Sequence, residues 1–123
     1  HGRRIIGVFS IDMNGDAAYA HSEGAVWTDF SDMRIEGRSE YAALHWVTVV
    51  PEARRSGVGM FILGEAERMA KEAGKACVRA DVYEQNAPIR RLFERYGFHS
   101  CGSIVLKNSL GRKRRRAAYE LIL

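Results

Sequence analysis

The residues with the most chemistry to offer lie between Val47 and Gly59, in the run VTVVPEARRSGVG. Gly57 and Gly59, preceded by Ser56, let the backbone turn tightly enough for successive N–H groups to point into one concavity. The period of the residues that follow is helical, so those N–H groups fall at a helix N-terminus. There the unpaired donors and the positive end of the dipole attract phosphate. Arg54 and Arg55 add positive charge at the mouth of the loop. A pyrophosphate is the natural guest of such a site.

The elements that must hold this loop are legible from hydropathy. Residues 42–50 (AALHWVTVV) form the best strand candidate, stopped by Pro51. From Gly57 to Ala73 the apolar residues Ile62, Ala66, Met69, Ala70 and Ala73 fall on one helical face, and Gly74 supplies a C-cap. Residues 76–82 read as a strand. Asn86 is an N-cap with Pro88 in the first turn, and Ile89, Leu92, Phe93 and Tyr96 form the stripe of a second helix that Gly97 ends. A first strand is expected over 4–11, closed by the turn Asn14-Gly15-Asp16, and a weaker one over 17–27. Residues 31–40 read as a loop, and two strands over 99–106 and 117–123 flank a turn near Asn108 to Gly111. This order implies an α/β chain with a mixed sheet and two main helices, and not a doubly wound repeat.

Composition sets the outer limits. A chain of 123 residues with 46% hydrophobic and 28% charged residues suits a single globular domain spanning 1–123. No apolar run is long enough to predict a transmembrane helix, and two cysteines, Cys77 and Cys101, are too few for a disulfide scaffold. The expectation is a cytoplasmic protein without a membrane partner. The net charge of +4 suits a phosphate-bearing partner of any size.

Three phosphate-loop patterns compete for residues 54–59. A Walker loop requires Gly-Lys-Ser/Thr, and Gly59 is followed by Met60-Phe61. A dinucleotide fingerprint gains support from Asp81, but Ile62 stands at its third glycine, and the loop 51–56 separates strand from glycines. The third pattern, R-x-x-G-x-G, is matched by Arg54, Gly57 and Gly59. With the strand VRADV at 78–82, then Asn86, then LFERYGF at 92–98, the chain resembles the GNAT superfamily of N-acetyltransferases over roughly residues 41–123. Tyr41, Leu44-His45, Arg79-Ala80-Asp81, Cys101-Gly102 and the C-terminal RAAYELIL resemble one uncharacterised bacterial subgroup more narrowly.

The resemblance implies a GNAT fold with a mixed, mostly antiparallel sheet, and acetyl-CoA as cofactor, bound in the split between strands 44–50 and 76–82. Its acetyl group would pass by direct attack to a primary amine, on a small molecule or a peptide. Backbone groups of Val47, Thr48 and Val49 would meet the acetyl carbonyl and pantetheine. Arg54, Arg55, Ser56, Gly57, Val58 and Gly59 would hold the pyrophosphate, and Asn86 the pantetheine arm. Phe93 occupies the position where many members carry a tyrosine that protonates the departing thiolate, and phenylalanine has no proton to give. Tyr96, one turn further along the helix, is a weak substitute; Tyr83, Tyr119 and solvent are others. Solvent suffices for a thiol whose pKa is about 8.5, and loss of a general acid slows a reaction by roughly 10²–10⁴-fold without forbidding it. His45, an imidazole beside the acetyl site, is a candidate base for the amine, with Glu40 and Glu52 flanking its strand. The alternative reading is a module that binds acyl-CoA and acetylates nothing.

Two further expectations concern surfaces. Family members open with a strand and two helices before the strand at 4–11, and only His1, Gly2 and Arg3 precede it here. The sheet is therefore expected to be N-terminally short with an exposed edge, which a second copy in a homodimer, or a partner segment, would cover. The run Arg112-Lys113-Arg114-Arg115-Arg116 reads as a solvated hairpin. It lacks the interleaved aromatics of a nucleic-acid platform, so no nucleic-acid partner is expected.

Overall fold

The strands and the two main helices form where the hydropathic period changes, and the element that differs is the strand expected over 17–27. The computed structural model describes residues 7–20, 22–30, 32, 39–49, 57–108 and 110–123. In chain order the elements are β1 (Gly7–Asp12), α1 (Ala17–Ala20), β2 (Tyr41–Val49), α2 (Val58–Glu72), β3 (Cys77–Tyr83), α3 (Ala87–Tyr96), β4 (His99–Lys107) and β5 (Lys113–Ile122). The five strands form one sheet in the order β1-β2-β3-β5-β4. Among the described residues only β2 and β3 run parallel, and α2 is the crossover that such a pair needs.

Both main helices pack on one face of this sheet. α2 buries Ile62, Leu63, Ala66 and Ala70, so Leu63 joins the expected face, while Met69 is half-buried and Ala73, at the C-cap, is exposed. Gly74, at φ 73°, carries the chain out of the helix, with its N–H donating to the Lys71 carbonyl and that of Lys75 to Ala70. α3 begins at Asn86, whose Oδ1 accepts the Ile89 N–H at 3.2 Å, and ends at Gly97, at φ 124°. Under the helices lie Leu44, Val78, Ala80 and Tyr119, which with Phe93 of α3 are all essentially inaccessible to solvent.

The expected strand over 17–27 is not formed. Asp16 Oδ1 accepts the Ala18 N–H at 2.8 Å, and this capping contact starts α1 through two alanines, which favour helix. Beyond α1 the chain runs extended along the outer edge of β4, making a single isolated bridge between Glu23 and Val105 and a bond from Val26 N–H to the Cys101 carbonyl at 3.0 Å. Gly24 passes so close to β4 that a Cβ there would stand 2.6 Å from the Ser103 oxygen. β1 begins no later than Gly7 and extends one residue past the expected end, while residues 4–6 lie outside the described residues. Its one strand partner among the described residues is β2, so it forms the edge of the sheet, with Val8 52% exposed.

A polar clasp fixes the segment beyond α1 over the face opposite the helices. Glu120, wholly buried, accepts from Arg79 Nε at 2.9 Å and from Thr28 Oγ1 at 2.5 Å. Arg79 Nη2 donates to the Thr28 carbonyl at 2.8 Å, and its guanidinium lies against the rings of Trp27 and Tyr41, 5.1 and 4.4 Å from their centres. His99 and Cys101 approach the same carboxylate, whose charge is already balanced by Arg79.

Candidate active site

The site begins where two paired strands part. β2 and β3 pair from Tyr41–Cys77 to Leu44–Ala80, after which β3 continues beside β5 to Tyr83–Arg116. Among the described strands β2 then continues beside β1 alone, and its register shifts between Val8–Thr48 and Ser10–His45, where the backbone of two residues, 46 and 47, is set against one residue of β1. Such a bulge bends a strand and ends regular pairing. It leaves the inner edge of β2 at residues 45–49 without β3 as a partner, an edge to which an extended ligand can add. His45 is the first residue of β2 past the fork, and Asp81 is its counterpart on β3.

The fork opens a cleft of about 740 Å³ that passes from one face of the sheet to the other. On the helix side it is lined by Leu44, Ala80, Val82, Ile89 and Phe93, with Asn86 as a polar member, while Thr48, paired with Val8, borders it on β2. Phe93 is fully buried against Phe98 and Tyr119, with ring centres 4.8 and 5.7 Å away. The opposite side is charged: Asp16, His45, Asp81, Tyr83, Arg114 and Arg116 line it. His45 Nε2 stands 3.3 Å from Asp16 Oδ2. Asp81 accepts from the Tyr19 hydroxyl at 2.5 Å and pairs with Arg116 Nε at 2.9 Å. Burial first, and then the Asp81 charge, push the Tyr19 phenol far above its usual range, so it remains a donor. Arg116 also lies 4.1 Å from the centre of the Tyr83 ring.

The glycine loop meets α2 as expected in its described part. Gly57 is the N-cap, in the left-handed region at φ 88°, and a Cβ built on it meets nothing within 4 Å among the described residues. An open cradle of this kind at the start of a 15-residue helix fits a phosphate group. Val58 and Gly59 supply the first helical N–H groups. Gly59 is small for a second reason, since a Cβ there would press to 2.6 Å from Leu92 Cδ2 between α2 and α3. Arg54, Arg55 and Ser56 lie outside the described residues.

Of the remaining expected site residues, His45, Thr48, Asn86 and Phe93 come together in the cleft, and Val47 and Val49 flank Thr48 on its backbone edge. Tyr96 does not join them. Its hydroxyl donates to Glu67 Oε1 on α2 at 2.5 Å, and it is absent from the cleft lining. Tyr119 is likewise committed, accepting from Arg90 Nε and donating to Glu94 Oε1, each at 2.9 Å. The sequence reading missed Asp16, Tyr19, Arg114 and Arg116. β5 is four residues longer at its start than expected and takes in most of the basic run. Strand alternation then sets Arg114 and Arg116 on the Asp81 face, while Arg115 approaches Glu84 at 3.7 Å. Period-two reading of residues 113–116 would have found this. Asp16 carried no signal beyond its place in a turn.

Known proteins share both this chain's sequence and its architecture. A curated relative of Bacillus subtilis, named "Putative phosphinothricin acetyltransferase YwnH", is 35% identical over 80 residues, which cover 63% of this chain and 48% of the relative. The chain thus spans about half the length of that relative. Among solved structures, yncA of Salmonella typhimurium, described as "a putative acetyltransferase … with its cofactor Acetyl-CoA", superposes with a TM-score of 0.64 at 22% identity, over 96% of this chain and 58% of that one. A GNAT-family acetyltransferase of Streptococcus agalactiae gives 0.68 at 19% identity, over 96% and 59%. These structures share the fold. The model of the Acetyltransferase (GNAT) family matches residues 1–98, taking in the fork, the glycine loop and both main helices. This chain belongs to the GNAT acetyltransferase family.

Proposed function

We propose that the chain binds acetyl-CoA and transfers its acetyl group to a primary amine by direct attack, with no acyl-enzyme. The observation that carries the reading is the fork after Leu44–Ala80, which joins an apolar slot on the helix face to a charged basin on the other. Acetyl-CoA supplies the activated acyl group. The first N–H groups of α2 at Gly57, Val58 and Gly59, with Arg54, Arg55 and Ser56, hold its pyrophosphate. The backbone of Val47, Thr48 and Val49 aligns the pantetheine as an added strand. Asn86 uses its Oδ1 for the helix cap and keeps its side-chain N–H groups for the pantetheine amides. Phe93 closes the slot as an apolar wall. His45 takes the amine proton, and solvent or Tyr83 returns one to the thiolate. The acceptor is a small molecule or a peptide, and the relative's name places phosphinothricin among the amines to try. Two free, buried cysteines suit a reducing compartment such as the cytoplasm, and no described helix is long and apolar enough to cross a membrane.

Calorimetric titration with acetyl-CoA tests the binding half: saturation at micromolar ligand is expected, and no heat at high micromolar ligand overturns the reading. A second reading, a module that holds acyl-CoA without turnover, is favoured by Phe93 in the slot and by the commitment of the Tyr96 hydroxyl to Glu67. A panel of amines with detection of released thiol separates the two, since turnover of any amine above the uncatalysed rate eliminates the module.

A further inference from the structure

We propose that Asp16 is a positioning residue for His45, the two forming a proton-accepting pair on the acceptor side of the fork. The inference rests on the acetyl-transfer reading above and assigns a role to a residue of the loop before α1. His45 lies where β2 leaves β3, so it borders the point at which a ligand's acyl group would cross the sheet. Asp16 Oδ2 stands 3.3 Å from its Nε2, and both side chains are 27% exposed, open to a substrate but partly shielded from water.

Asp16 is held at three points. Its Oδ1 accepts the Ala18 N–H at 2.8 Å. Its own N–H donates to the Tyr41 hydroxyl at 3.0 Å, and its carbonyl accepts from that hydroxyl at 2.9 Å. The carboxylate therefore cannot swing away without undoing the start of α1. Other groups nearby are engaged elsewhere. The Tyr19 ring lies 6.3 Å from the imidazole, with its hydroxyl on Asp81, and Asp81 pairs with Arg116. Ser10 faces His45 from β1 and carries no charge. Among the described residues no guanidinium or ammonium pairs with Asp16, which leaves its second oxygen to the imidazole.

A carboxylate that accepts from Nε2–H fixes the ring and leaves Nδ1 with its lone pair, the arrangement a general base needs. As the amine nitrogen bonds to the acetyl carbon, the carbon–sulfur bond breaks and sulfur departs with the electron pair. The proton shed by nitrogen passes to Nδ1, and solvent protonates the sulfur. The 3.3 Å separation is slightly long, as such bonds often are before substrate binds.

Asp16→Asn is the informative variant, because asparagine is near-isosteric and caps a helix as well as aspartate does. With acetyl-CoA and an amine from the panel, kcat is expected to fall at least tenfold, while KM for acetyl-CoA stays within about twofold. His45→Gln is expected to lose roughly 10²-fold or more. The double variant should match His45→Gln alone, since a residue acting through the imidazole has nothing to act on once it is gone. Unchanged kcat in Asp16→Asn, or losses that multiply in the double variant, overturns the proposal and leaves acetyl transfer standing. No thiol release by the wild type with any amine overturns the transfer reading, and the pair with it.

Discussion

Gly57 shows how much one position can decide. Its φ of 88° means that a side chain there meets backbone strain, with no clash against the described residues. Gly57→Ala is therefore expected to lower the unfolding free energy by about 1–2 kcal/mol, the ordinary penalty of the left-handed region. Urea titration measures this, and a larger loss would mean that a contact exists. The same methyl group occupies the open cradle at the start of α2, so acetyl-CoA affinity should fall at least tenfold by calorimetry. The two cysteines supply the opposite case, residues with reactive chemistry that the fold disables. Burial pushes the Cys77 thiol up to about 12 and the Cys101 thiol to about 11. Because the thiolate is the nucleophile, neither should react with iodoacetamide at pH 8 in the native protein, and both should in urea. Labelling of the native chain would show that β3 or β4 opens readily.

At the scale of elements, Tyr96 ties α3 to α2 through Glu67. Burial, reinforced by the Glu67 hydrogen bond and charge, pushes the Tyr96 phenol up to about 12. The hydrogen bond from Tyr96, then Lys71, holds the Glu67 carboxyl below its usual range. A phenol whose ionisation is delayed by folding stabilises fully below about pH 10 and loses that contribution as pH rises toward 12. A carboxyl whose pKa folding depresses stabilises above about pH 4.5 and loses that contribution as pH falls. Tyr96→Phe should thus cost about 0.5–1.5 kcal/mol near neutrality, with the difference from wild type shrinking at both extremes. Turnover should remain within twofold, because the hydroxyl faces α2 and not the cleft. A tenfold drop in kcat with the fold intact would give Tyr96 the proton-donor role instead.

For the molecule as a whole, the clasp of Arg79 and Glu120 holds the segment beyond α1 across the charged face of the sheet. Glu120 has no solvent exposure, so removing its guanidinium partner strands a buried carboxylate. Arg79→Ala is expected to lower stability by about 3–5 kcal/mol, a large share of the 5–15 kcal/mol typical of folded domains. Replacing both partners at once, as in Arg79→Met with Glu120→Leu, should cost less than the single change. Denaturant unfolding of the three proteins decides it, and a single variant as stable as the wild type would remove the clasp from the account of the fold.

The sequence alone determined the parts of this protein whose signal is local. The strand at β2, the two main helices with their Asn86 and Gly97 ends, and the glycine turn into α2 all follow from hydropathic period and backbone permissiveness, which neighbouring residues settle among themselves. The motif around Arg54, Gly57 and Gly59 carried the family for the same reason, since a phosphate cradle is built from consecutive residues. Residues 17–27 went otherwise because weak strand propensity yielded to a single cap at Asp16 and to docking on β4. The fork, the orientation of Tyr96 toward Glu67, and the basin of Asp16, His45, Asp81 and Arg116 belong to the tertiary structure alone. Each joins residues at least 29 positions apart, from separate elements, and only the register of the sheet and the packing of the helices bring such residues within bonding distance.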